Sequence, residues 1–266
     1  MDLGVRGRVA IVCAASQGLG KAAADAFARE GAHVVMCSRD ARRINTAARE
    51  IRARIGKRRG TIVPVVADLT RPADIRRLVA TTVRRFRRVD ILVTNAGGPP
   101  VAQFPDLDDR RWEEGINLNL MSTIRCIRAV LPHMRRQLWG RIVNITSIAA
   151  RQPITDLVIS STVRPGILGL SKVLATQLAR ENVLVNSVCP GYILTARQKE
   201  IGASRASKLG ITYERYVENL VREVPAQRYG QPEELANVIV FLASERASYV
   251  TGAVVSVDGG LSKGLL

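Results

Sequence analysis

The chain has 266 residues, 47% of them hydrophobic and 4% aromatic, which suffices for one large α/β core and is short for two ordinary domains. Its net charge of +17 rests on 34 arginines among 40 basic residues, a bias that invites a nucleic-acid reading. No run approaches the roughly 18 apolar residues of a membrane span, and residues 1–8 lack the apolar core of a signal peptide, so the expectation is a cytoplasmic protein without a membrane partner.

Taken in order, Val9–Cys13 predicts a first strand, followed by a glycine-bearing turn and a helix over Lys21–Glu30. His33–Cys37 and Thr61–Val66 predict the next two strands. A helix follows in which Ile75, Leu78, Val79, Val83 and Phe86 recur at helical spacing. Its arginines, Arg76, Arg77, Arg84, Arg85, Arg87 and Arg88, fall mostly on the opposite face, which reads as a solvated surface and argues against a nucleic-acid partner. The basic surface could still steer an acidic substrate carrier, such as an acyl-carrier protein. Ile91–Thr94, Arg141–Ile145, Leu184–Cys189 and Val254–Val257 predict four more strands. Short, continuously apolar strands alternating with helices imply a parallel sheet buried on both faces, hence one doubly wound α/β domain over 1–266. Residues 195–231 break that rhythm with a longer, more polar excursion carrying a helix over Tyr213–Glu223, and are expected to form a substrate lid. Cys13, Cys37, Cys126 and Cys189 sit singly in apolar runs, and His33 and His133 have no partner at ligand spacing, so neither a disulfide framework nor a metal site is expected.

The first turn reads Cys13-Ala14-Ala15-Ser16-Gln17-Gly18-Leu19-Gly20. Glycines here let the backbone approach a pyrophosphate and let the helix pack closely, while the helix N-terminus faces the anion. Ala14 stands where a first glycine would be, and is expected to keep a negative φ.

Further segments follow in order: Asp90-Ile91-Leu92-Val93-Thr94-Asn95-Ala96-Gly97, Pro190-Gly191-Tyr192-Ile193-Leu194-Thr195, Gly230-Gln231-Pro232-Glu233-Glu234-Leu235-Ala236 and Val257-Asp258-Gly259-Gly260. With the first turn, they resemble the short-chain dehydrogenase/reductase family from about Gly7 to Gly260, most closely its 3-oxoacyl-carrier-protein reductases and related small carbonyl reductases. The resemblance implies a Rossmann-type, seven-stranded sheet, a nicotinamide dinucleotide cofactor and a homotetramer or homodimer. By position, Ala14, Ser16, Gln17, Gly18, Leu19 and Gly20 match the phosphate-binding turn. Asp68 and Leu69 match the adenine contact, and Asn95, Ala96 and Gly97 the wall beside the ribose. Pro190, Gly191, Ile193 and Thr195 match the segment gripping the nicotinamide carboxamide. The second strand ends Cys37-Ser38-Arg39. Without a carboxylate to hold a ribose 2′-hydroxyl, and with Arg39 and Arg42 or Arg43 able to pair a 2′-phosphate, NADP(H) is expected over NAD(H). The alternative is that Arg39 stacks on the adenine and serves either cofactor.

In the same family a serine polarises the substrate carbonyl, a tyrosine thirteen residues on transfers the proton, a lysine four further assists it, and an asparagine anchors a water relay. Ser147 and Asn119 match the serine and the asparagine, but Ser160 and Arg164 stand at the tyrosine and lysine positions. An aliphatic hydroxyl is a far weaker acid than a phenol, and a guanidinium stays protonated; Arg164 can hold a ribose or a carboxylate but cannot relay protons. Tyr192 is the one tyrosine in a cofactor-facing motif, as a donor from the opposite wall or simply as a packing residue. Three classes stay open. One is an NADP(H)-dependent carbonyl reductase or alcohol dehydrogenase acting on a small or acyl-type substrate, with Ser147, Ser160, Asn119 and Arg164 as a rearranged set. Another is a non-redox isomerase, lyase or cyclase, and the third a non-catalytic dinucleotide-binding protein.

Overall fold

The computed structural model describes residues 2–55 and 60–264; positions 1, 56–59, 265 and 266 of the expected 1–266 domain lie outside the described residues. Seven parallel strands form one sheet: β1 (Val9–Val12), β2 (His33–Ser38), β3 (Ile62–Val66), β4 (Ile91–Thr94), β5 (Gly140–Ile145), β6 (Val183–Pro190) and β7 (Val254–Val257). Their spatial order is β3-β2-β1-β4-β5-β6-β7, all pairs parallel. β1, β4, β5 and β6 are buried along their whole length, in β5 and β6 with the polar Arg141, Asn144, Asn186 and Ser187 among their apolar residues. β3 is an edge strand and tolerates Pro64 for that reason. The expected sheet is therefore the observed one, with boundaries differing by a residue or two.

The helices are α1 (Gly18–Arg29), α2 (Ala41–Ile55), α3 (Pro72–Phe86), α4 (Asp109–Ile116), α5 (Ser122–Arg136), α6 (Val158–Leu178), α7 (Ala196–Lys208), α8 (Tyr213–Arg222) and α9 (Pro232–Leu242). One face of the sheet packs Phe27, Ile44, Ile51, Leu235 and Ile239 of α1, α2 and α9. The other packs Ile75, Leu78, Val130, Met134 and Ala175 of α3, α5 and α6. The four cysteines are free, buried thiols, three of them (Cys13, Cys37 and Cys126) in this second cluster. Arg76, Arg77, Arg84, Arg85 and Arg87 lie on the exposed side of α3, as the pattern predicts, while Arg88 is half-buried and pairs with Asp90. Among the described residues no helix is long and apolar enough to cross a membrane.

Strand order reverses between β2-β1 and β4-β5, so the crevice beyond the carboxyl ends of β1 and β4 is the place this topology leaves for a ligand. Thr94 donates to Asn144 Oδ1 at 2.6 Å and Asn144 Nδ2 donates to Ser171 Oγ at 2.9 Å, a buried chain locking β4, β5 and α6 behind that crevice.

Candidate active site

A cleft of about 410 Å³ opens at this reversal point. The β1–α1 turn forms its floor. Cys13 N–H donates to the Val93 carbonyl and Ala15 N–H to the Cys37 carbonyl, at 3.0 and 2.9 Å, which suspends the turn between the two neighbouring strands. Held this way, Ala14 adopts φ +47°, contrary to the negative value expected; the left-handed strain of roughly 1–2 kcal/mol is sustained by the bonds on either side. A Cβ at Gly20 would stand 2.5 Å from the Ala14 carbonyl oxygen, so Gly20 lets α1 close on the turn. Gly18 has φ +54°, and Gln17 makes no side-chain capping bond, which leaves the first N–H groups of α1 open to an anion.

Ser16, Gln17, Gly18 and Leu19 line the cleft with Ala14, as do Ser38, Arg39, Asp68, Leu69, Asn95, Ala96 and Gly97. The far wall is Pro190, Gly191, Ile193 and Thr195. At Gly191 a Cβ would meet the Asp258 side chain at 2.6 Å, which is how the distant Asp258-Gly259-Gly260 motif shapes this wall. Gly20 is packed behind the turn rather than lining it. Asn119 also stays behind the cleft, in a π turn over Asn117–Met121 between α4 and α5; its Nδ2 donates to the Gly115 carbonyl at 3.1 Å and its buried Oδ1 has no partner.

At the other end of the cleft stand Ser147, Ser160 and Arg164. Ser147 ends the β5 segment and caps a short turn, its Oγ accepting from Ala149 N–H at 3.1 Å. Ser160 and Arg164 are one helical turn apart on α6, 4% and 8% exposed. Arg164 Nε donates to Ser160 Oγ at 3.0 Å, and its Nη1 donates to the Thr146 carbonyl at 2.7 Å. Among the described residues it has no carboxylate partner. Burial lowers its pKa to about 10, which still leaves it cationic at neutral pH. Each serine oxygen thus has a lone pair taken by an N–H donor, and neither hydroxyl donates to a protein acceptor among the described residues. Both O–H protons are left for a ligand in the cleft.

The start of the segment 195–231 lines this end through Thr195, Ala196, Arg197, Gln198 and Ile201. Its base is pinched shut by Leu194 N–H to Gly230 O and Gly230 N–H to Tyr192 O, at 2.8 and 3.0 Å. Thr195 caps α7, an unanticipated helix, by accepting from Gln198 N–H. Arg205 reaches both Asp156 oxygens, at 2.8 and 2.6 Å, tying α7 to the loop before α6. Tyr216, Leu220 and Tyr229 bury against one another beneath α7, whereas Leu209 is exposed. Tyr192 packs with Ile148, Val224 and Leu261 outside the cleft, and burial raises its pKa, so it is a packing residue. No tyrosine lines the cleft among the described residues. Residues that sequence reasoning missed here include Asp40, Leu157, Arg197 and Gln198. Asp40 is engaged by Arg43, whose N–H and Nε lie 2.9 and 3.4 Å from its oxygens.

Residues 13–262 match a family model described as enoyl-(acyl carrier protein) reductase. A 3-oxoacyl-[acyl-carrier-protein] reductase of Thermotoga maritima is 32% identical, the match covering 97% of this chain and 98% of that one. A D-beta-hydroxybutyrate dehydrogenase of Rhizobium meliloti is 34% identical over 95% of this chain and 98% of its own. Among solved structures, L-sorbose reductase from Gluconobacter frateurii, complexed with NADPH and L-sorbose, superposes with a TM-score of 0.94 at 34% identity, covering both chains fully.

Proposed function

The chain belongs to the short-chain dehydrogenase/reductase family, and from that premise we propose that it is an NADP(H)-dependent carbonyl reductase in which two serine hydroxyls and a buried arginine replace the usual phenol. The observation that carries this reading is the Arg164–Ser160 contact beside Ser147. The turn fits a dinucleotide: Gly20 lets α1 close on the Ala14 carbonyl, and the uncapped start of α1 offers N–H groups to a pyrophosphate. Ser38 and Arg39, with Arg43, would receive a ribose 2′-phosphate, and the NADPH of the sorbose reductase supports that preference. Arg164 would also hold the ribose hydroxyls.

When bound, NADPH supplies a hydride to the carbonyl carbon and is itself oxidised. Ser147 and Ser160 donate their free O–H groups to the carbonyl oxygen as charge develops on it. Arg164 acts through Ser160. Its Nε–H occupies the Ser160 lone pair, which turns the hydroxyl proton outward, and its charge stabilises the oxyanion. Water entering at the cleft mouth delivers the proton that completes the alcohol, and Asn119, with an unpartnered Oδ1, would anchor the water behind it. Exposed Val173 on α6, Phe241 on α9 and Tyr249 ahead of β7 support a homo-oligomer, dimer or tetramer. Four reduced, buried cysteines suit a cytoplasmic location.

The test is a titration with NADPH and NADH followed by a turnover screen over ketones. NADPH is expected to bind more tightly, with Arg39→Ala removing roughly a ten- to hundred-fold preference while leaving NADH affinity nearly unchanged. Equal affinities in the unmutated protein would remove the NADP assignment, and absence of any ketone-dependent NADPH oxidation would remove the reductase.

A further inference from the structure

We infer that Arg197 is a receptor for a carboxylate on the substrate, so that the ketone reduced in this cleft is an oxo acid rather than a neutral ketone or a thioester. The inference rests on the reductase reading above and narrows its substrate class.

Charge is unevenly divided along the cleft. Its lining acids, Asp40 and Asp68, both lie at the ends of β2 and β3, on the side proposed for the adenosine. Asp40 is occupied by Arg43, and Asp68 Oδ1 accepts from the Thr70 N–H and hydroxyl. The reaction end has no lining acid and two lining arginines, Arg164 and Arg197. Arg164 is committed to Ser160 and the Thr146 carbonyl. Arg197 is less committed.

Arg197 lies on the first turn of α7. Its Nη2 donates to the Pro99 carbonyl at 3.0 Å, which holds the guanidinium across the cleft between the lid and the loop after β4. Its one acidic neighbour, Glu200, is 3.9 Å away with a side chain 67% exposed, a long surface pair that contributes little. Nε is buried without any hydrogen-bond partner. Gly98 faces the same guanidinium, and an added Cβ there would come into van der Waals contact with Nε at 3.6 Å. Next along the helix, Gln198 Nε2 is also buried and finds no hydrogen bond of ordinary length, its neighbour being the Tyr229 hydroxyl. Arg197 therefore keeps one N–H donor to spare in the cleft wall, while the Gln198 amide is turned towards Tyr229, a residue outside the cleft lining. The Arg197 side chain is 43% exposed, so its charge is within reach of a ligand, and a planar guanidinium matches the two oxygens of a carboxylate. Leu157, Ile193 and Ile201 line the same end and suit a short carbon chain between carboxylate and carbonyl.

The test compares 3-oxobutanoate with its neutral isostere 3-oxobutanamide on NADPH-saturated protein. The unmutated protein is expected to favour the acid in kcat/KM by roughly ten- to a hundred-fold, mainly through KM. Arg197→Gln keeps an N–H donor for Pro99 while dropping the charge, and should bring the acid-to-amide ratio close to one; Arg197→Lys should keep part of the preference. Equal use of both compounds by the unmutated protein overturns the inference while leaving the reductase standing, as does an Arg197→Gln variant slowed equally on both. If neither compound is reduced, that probe gives no support to the reductase reading, and calorimetric titration of both into NADP⁺-loaded protein decides the receptor. Tighter binding of the acid, lost in Arg197→Gln, supports it; equal binding overturns it.

Discussion

Two buried arginines stand at opposite ends of the sheet, and their surroundings differ in kind. Arg141, at the amino end of β5, is 1% exposed and lies over the Trp139 ring, with Arg8 over the same ring; their guanidinium carbons are 4.2 and 3.8 Å from its centroid. Glu245 lies 3.7 Å from Arg141 Nη2, accepts from Arg8 at 2.6 Å and accepts from Trp139 Nε1 at 3.0 Å. The Gly140 and Asn182 carbonyls take Arg141 Nη1. Arg164, at the carboxyl end, meets only neutral oxygens among the described residues. Burial lowers both pKa values to about 10, but only for Arg141 does a carboxylate work against that shift. Arg141 Nε and Nη2 make no hydrogen bond, yet its charge has a carboxylate 3.7 Å away within the scaffold, whereas that of Arg164 has none among the described residues.

The contrast predicts that the two ends fail differently. Gly20→Ala, which forces a methyl against the Ala14 carbonyl, should weaken dinucleotide binding by roughly ten- to a hundred-fold, the scale of about 1–3 kcal/mol of overpacking. Titration with NADPH reads it, and undiminished affinity would mean the turn does not cradle the cofactor. Glu245→Ala should do the reverse. It strips the carboxylate from Arg8, Arg141 and Trp139 and should cost about 2 kcal/mol of stability, below the value for a fully buried pair because Glu245 is 42% exposed, with cofactor affinity unchanged. Denaturant melts of the two variants side by side check the separation.

A smaller effect belongs to the end of the segment 195–231. Arg228 and the Gln231 N–H push the Glu234 carboxyl down to about 2. A carboxylate depressed in the folded state contributes stability above its ordinary pKa near 4.3, and loses it as pH falls towards 2. Glu234→Gln should therefore lower Tm by about 1–2 °C at neutral pH and flatten the acid limb between about pH 4.5 and 2.

The seven strands were legible because short β-branched runs recur between helices, most clearly in the fully buried β1 and β4, and the cleft followed from motifs at strand ends. α7 was not legible. Ala196–Lys208 has few apolar positions, and its one start signal is Thr195, whose side chain caps the helix. Reading that cap would have set Arg197 and Gln198 on a first turn beside the cleft. The positive φ of Ala14 arises from hydrogen bonds to two other strands, which no local propensity reports. Arg164 could be named from its register against Ser147, but its lack of a carboxylate is a property of everything packed around it. The compensation of Arg141 by Glu245, 104 positions away, is equally invisible in the chain order.

The most direct measurement is the effect of Arg164→Met on two quantities at once, the ketone-reduction rate at saturating cofactor and the Tm. If Arg164 is held uncompensated for the reaction, the rate should fall by about a hundred-fold or more while Tm stays level or rises. An unchanged rate, or a loss of stability like that of Glu245→Ala with the rate preserved, would contradict it and make Arg164 a scaffold residue like Arg141.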